Sequence, residues 1–85
     1  MSLFTALVKS SNASSWDNIY RRIDGKRKEA GLSWRELAKR AGIMMKTWMV
    51  GLPGFYPSDE EITKIAPVLN TTFEYLKYGI EPEEN

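Results

Sequence analysis

Nine basic side chains fall between positions 21 and 46 (Arg21, Arg22, Lys26, Arg27, Lys28, Arg35, Lys39, Arg40 and Lys46) against the acids Asp24, Glu29 and Glu36. That is a balance of +6 in a chain whose net charge is +1. Positions 59 to 85 have the opposite sign, with seven acids against Lys64 and Lys77, a balance of −5. Ammonium and guanidinium groups suited to phosphate are therefore concentrated in one half of the chain. Taken singly, each of these cations also fits an ordinary solvated helix face. Arg35 is the sharper case: it stands in the first turn of an expected helix, where the helix dipole disfavours a cation and a nearby phosphate would remove the conflict.

Other chemistries have little to draw on. The 85 residues include no cysteine and no histidine, which excludes disulfides, thiol catalysis, the usual zinc ligand sets and an imidazole base. No nucleophile–base pair, metal cluster or phosphate-cradling glycine loop is present, and the acids are accounted for by helix capping or solvation. The expectation is a chain without catalytic residues, metal or cofactor, and without a small-molecule substrate.

The elements that must carry the basic side chains follow from local signals. Ser33 with Glu36 is a capping box that starts a helix at Trp34, and Gly42 can take the positive φ that ends it. Leu37, Ala38 and Ala41 share one face of that helix, and Ile43 and Trp48 would bury a second one against it. Before this unit, a helix from Trp16 to about Ala30, capped by Ser15, presents Trp16, Ile19, Tyr20, Ile23 and Ala30 at helical spacing, with Gly25 weakening it. After it, Gly51-Leu52-Pro53-Gly54 must stop the helix, so the helix over 44–50 is short. Ser58 and Glu61 form a second capping box, opening a helix with Ile62, Ile65, Ala66 and Leu69 inside and Pro67 as a source of a kink or early end. Thr72 caps a last helix in which Phe73 and Leu76, with Tyr75 and Tyr78, pack before Gly79.

A helix, a glycine-centred turn and a second helix is the arrangement with which many proteins enter a DNA groove. From Gly31-Leu32-Ser33 through Glu36-Leu37-Ala38, Gly42-Ile43, Thr47, Gly54, Pro57-Ser58, Ile62, Lys64-Ile65-Ala66 and Leu69, the chain resembles the lambda repressor-like, XRE-type helix-turn-helix family over about residues 16 to 79. The resemblance implies an all-α, five-helix fold whose second and third helices read DNA. It divides the chain into an arm and connector (1–15), the helix-turn-helix domain (16–79) and an acidic tail (80–85). It implies a sequence-specific transcriptional regulator similar to a phage or prophage repressor or a Cro-like protein. Such a protein binds a double-stranded operator as a homodimer, in the cytoplasm of a bacterial or phage-infected cell, with no membrane partner.

By position in that family, Met44, Met45, Lys46, Met49 and Val50 face base edges, with Thr47 beside them. Trp34, Arg35 and Tyr56 stand where phosphate is held. Lys46 would donate to guanine, and the apolar groups would meet thymine methyls. Several residues depart from the pattern. Methionine and valine replace the usual Gln, Ser, Arg or Asn, and Trp34 replaces a phosphate-holding Gln, its ring free to pack on the first helix instead. Lys26 occupies a normally apolar site, where its stem can pack. Leu52-Pro53 replaces a Glu-Asn pair, which would leave Arg27 free for phosphate.

Those departures support a second reading, in which Met44, Met45, Met49, Val50 and Leu52 form a protein-docking face on a reused helix-turn-helix fold, as in an antitoxin, an antirepressor or a subunit interface. Leu3 to Val8 is either an arm that packs on a partner subunit or a disordered terminus. It is too short to span a bilayer.

Overall fold

The computed structural model describes residues 15–82, so the Leu3–Val8 segment and the end of the acidic tail lie outside the described residues. It contains four α-helices and one 3-10 turn: α1 (Trp16–Glu29), α2 (Trp34–Ala41), the 3-10 turn (Thr47–Val50), α3 (Asp59–Val68) and α4 (Phe73–Tyr78). There is no strand among the described residues, and no helix there is long and apolar enough to cross a membrane. The all-α expectation holds. Among the described residues four of the five expected helices are α-helical, and the segment expected as the third is the 3-10 turn.

α1 starts after Ser15, whose backbone is extended as a cap requires, although its side chain does not make the expected capping bond. Asp17 in the first turn and Lys26, Arg27 and Lys28 in the last complement the helix dipole. Ile19 and Ile23 enter the core from one face, as read from their spacing. Ala30, also expected inside, is exposed, because the helix has already ended at Glu29 and the turn swings Leu32 into the core instead. The Arg27 guanidinium holds that turn by donating to the Leu32 carbonyl at 2.8 Å.

α2 is framed by both expected signals. Glu36 N–H donates to Ser33 Oγ and Ser33 N–H to Glu36 Oε1, each at 3.0 Å. At the other end Gly42 has φ 73°, and Ile43 N–H donates back to the Ala38 carbonyl at 3.0 Å. A residue with a Cβ is strained at that φ, so glycine is what lets the chain leave α2 and return across it.

After Gly42 the chain does not re-enter an α-helix at once. Lys46 is extended (φ −116°, ψ 150°), and only Thr47–Val50 coil, as a 3-10 turn closed by Gly51 at φ 78°. Two local causes limit the element to four residues. Pro53 disfavours helical backbone at Leu52, and Thr47 and Val50 are β-branched. Trp48 and Met49 both point into the core from this turn.

The second capping box opens α3, with Glu61 N–H to Ser58 Oγ at 3.1 Å and Ser58 N–H to Glu61 Oε1 at 2.9 Å. α3 ends one residue past Pro67, and Asn70 at φ 55° carries the chain into α4. Thr72 caps α4 by accepting from Tyr75 N–H at 3.0 Å. α2 packs on α3, and α4 closes the bundle against α1 and α3. At the far end of α4, Arg22 donates from Nε to Leu76 O and from Nη2 to Lys77 O, both at 2.9 Å, satisfying two helix-end carbonyls from a residue in α1. The core that results, from Ile19 to Leu76, is wholly apolar among the described residues.

Candidate nucleic-acid interface

The fold sorts the basic residues into two groups. Arg22 caps α4. Arg27 and Lys28 both bind Asp24, at 2.6 and 3.1 Å. Lys26 reaches Glu29 and sits 5.1 Å from the Tyr75 ring centroid, in keeping with a packed stem and a solvated head. Lys46 lies 3.2 Å from Glu61 Oε2. Much of the positive charge read from the sequence therefore serves the fold. Arg21, Arg35, Lys39 and Arg40 remain, all exposed and without an ion pair among the described residues, although Arg40 lies close enough to Glu36 to act on its charge. Three of these four are on α2.

Arg27 corrects one expectation. The sequence leaves it free for phosphate, yet Asp24, three residues earlier on the same helix, takes that charge. Partial burial pushes the Asp24 carboxyl up, but its hydrogen bonds to Arg27 and Lys28 and their charges outweigh this and hold it below the ordinary carboxylate value. Asp24 also borders an open cleft of about 320 Å³ with Trp16, Asp17, Tyr20, Arg21 and Gly51. Its oxygens there are already committed to the two cations.

Trp34 belongs to a cluster of rings. It stacks on Tyr20 with centroids 5.5 Å apart, meets Trp48 edge-on at 5.9 Å, and has the Arg27 guanidinium 4.6 Å from its centroid. Trp16 joins the same cluster through Tyr20 at 5.2 Å and Trp48 at 6.5 Å, and it meets Tyr56 edge-on at 5.4 Å. The ring of Trp34 thus packs on α1, one of the two roles its sequence position allows. The cluster also fixes geometry: through Trp34 and Trp48 the first turn of α2, with Arg35, lies beside the 3-10 turn, and Tyr56 ties the 51–58 loop to α1.

Of the residues expected to face bases, Met49 is the clear correction. It is 0% exposed, so its side chain is part of the core and cannot reach a groove. The helical alignment predicted the opposite because it assumed α geometry from Met44 onward; the extended stretch before Thr47 turns Met49 inward and leaves Val50 outside. Met44, Met45 and Val50 are 78%, 46% and 65% exposed, Thr47 is exposed beside them, and Leu52, Phe55 and Tyr56 continue an apolar surface along the loop.

Lys46 lies against Glu61, the residue that the sequence assigns to the capping box of α3 and that has no expected partner outside that helix. Partial burial pushes the Glu61 carboxyl up, but the Ser58 N–H, the Lys46 ammonium and the Trp48 indole nearby together bring it below the ordinary value. A capping glutamate whose second oxygen reaches a lysine from another element has no signature in sequence, because the contact spans fifteen residues and depends on how α3 lies against the turn.

No group of three or more potential metal ligands occurs among the described residues. Comparison with protein-family models, with curated proteins and with solved structures returned no match for this chain.

Proposed function

We propose that this chain is a DNA-binding module of the helix-turn-helix kind, in which α2 and the segment from Ile43 to Val50 form the reading pair and the second helix of that pair is contracted to a 3-10 turn. The observation that carries the proposal is the concentration of uncommitted positive charge on α2. Arg35, Lys39 and Arg40 are exposed and unpaired, while most cations elsewhere in the basic half are tied into the fold. A cation kept in the first turn of a helix, against the dipole, gains most from an anion placed there. The side chain of Arg35 meets that description, and its neighbour Trp34 packs edge-on against Trp48 of the turn.

On this proposal the protein is a transcriptional regulator resembling a phage-type repressor or Cro-like protein. It acts as a dimer on a two-fold operator with half-sites about one helical turn apart. Arg35, Lys39 and Arg40 hold phosphates, and Met44, Met45, Thr47 and Val50 face the groove. Three phosphate contacts per protomer give a salt slope of about −2.7 in log K against log salt for each half-site. Selection from a random duplex pool tests the reading: an enriched two-fold site, bound with a steep salt dependence, supports it, and weak binding shared by all sequences counts against it.

A second reading is favoured by one specific observation. The exposed apolar run of Met44, Met45, Val50, Leu52, Phe55 and Tyr56 is the composition of a protein-docking face. Charge reversal at Arg35 and Lys39 separates the two, since it abolishes duplex binding in the first case and leaves partner binding intact in the second.

A further inference from the structure

We infer that the exposed turn between Gly42 and Gly51 reads DNA through the C5-methyl groups of pyrimidines, so that thymine is the base it selects and 5-methylcytosine an equivalent one. This rests on the DNA-binding reading and names what that surface recognises. Met49 is withdrawn into the core, and the Lys46 ammonium is held by Glu61 at 3.2 Å. What stays outside is Met44, Met45 and Val50, with the hydroxyl of Thr47 beside them. Apart from Lys46, which Glu61 draws to itself, this segment carries no group able to make a bidentate bond to guanine or adenine.

The major-groove edges of the four bases differ in donors and acceptors, and only thymine adds an apolar group, its C5-methyl. Methionine and valine gain nothing from a carbonyl or amino edge, which they desolvate without a partner. They do gain from covering a methyl, by about fourfold in affinity for each one buried. A flexible thioether adapts to the position of that methyl, and 5-methylcytosine carries its methyl on the same ring atom. The unpaired cations of α2, which joins this segment through Gly42, favour a polyanion as the occupant, which distinguishes a duplex from an apolar protein partner.

The test uses the duplex enriched from a random pool, prepared with thymidine, with deoxyuridine replacing thymidine at each position in turn, and with cytosine or 5-methylcytosine at the same places. The expected result is a loss of about fourfold for each contacted methyl removed, recovery of the same factor by 5-methylcytosine over cytosine, and an unchanged salt slope. In Met44→Ala, an exposed position, the thymine–uracil difference at one base should vanish. Equal binding of thymidine and deoxyuridine duplexes, with salt-dependent binding intact, overturns methyl reading while leaving DNA binding standing. Absence of any salt-dependent duplex binding overturns both.

Discussion

Met49→Ala and Met44→Ala make a matched pair, because the two residues are chemically identical and five positions apart on one segment. Met49 is fully enclosed by core side chains, whereas Met44 is 78% exposed. Truncating a buried methionine to alanine removes its transfer energy and leaves a cavity, at a cost of about 2–5 kcal/mol. The four-residue turn around Met49 is short and can relax inward, which argues for the middle of that range, about 3 kcal/mol. For a domain of this size that lowers Tm by about 10–25 °C. Met44→Ala removes contacts with water only and stays within about 0.5 kcal/mol of the parent. Thermal and urea unfolding followed by tryptophan emission provides the assay, since Trp16, Trp34 and Trp48 all lie in one ring cluster bridging α1, α2 and the turn. Equal melting of the two variants would refute the inward placement of Met49 and with it the 3-10 geometry. An α-helix from Met44 onward would then be the better description, with Met49 returned to the candidate reading face.

Three further outcomes follow from the same geometry. Arg35→Ala should weaken binding to all duplexes alike and reduce the salt slope by about 1 for each half-site, with unchanged base preference; an altered preference would show that Arg35 reads bases rather than phosphate. Glu61→Gln keeps the capping box, because a glutamine oxygen still accepts from Ser58 N–H, but releases the Lys46 ammonium. A repeated selection should then gain a guanine in the preferred site, and an unchanged site would show that Lys46 is not a latent reader. Asp24 and Glu61 both have carboxyls lowered on folding, so their contribution to stability is complete above their ordinary values of about 4 and is lost as pH falls through the lower folded-state values. Urea midpoints should be level from pH 7 to about 5 and fall below about 4, and a midpoint that rises on acidification would contradict these ion pairs.

What the sequence made legible was chiefly local. Ser33–Glu36, Ser58–Glu61 and the Thr72 cap each involve residues three apart, and Gly42 ends a helix by its own backbone preference, so all four could be read without tertiary information. Ile19, Ile23, Leu37, Ile62 and Leu76 were legible as core from helical spacing. The turn from Thr47 to Val50 was not, because choosing between α and 3-10 geometry over four residues depends on how Trp48 packs between Trp16 and Trp34. That choice turns Met49 inward while Val50 stays outside, and so changes the candidate reading face. Arg22 reaching α4 and Lys46 reaching Glu61 depend on the packing of distant elements. The Arg27–Asp24 pair, by contrast, was within local reach at three-residue spacing. It was obscured because the resemblance pointed to a partner near Leu52.

The most direct test of the central claim is a salt titration of the pool-selected duplex against the parent chain and the Arg35→Glu, Lys39→Glu double variant, with helix content checked by circular dichroism. The parent should bind with a steep negative slope, and the variant, folded to the same extent, should lose duplex binding at every salt concentration. Retained binding by the folded variant would contradict the assignment of α2 as the phosphate-holding helix.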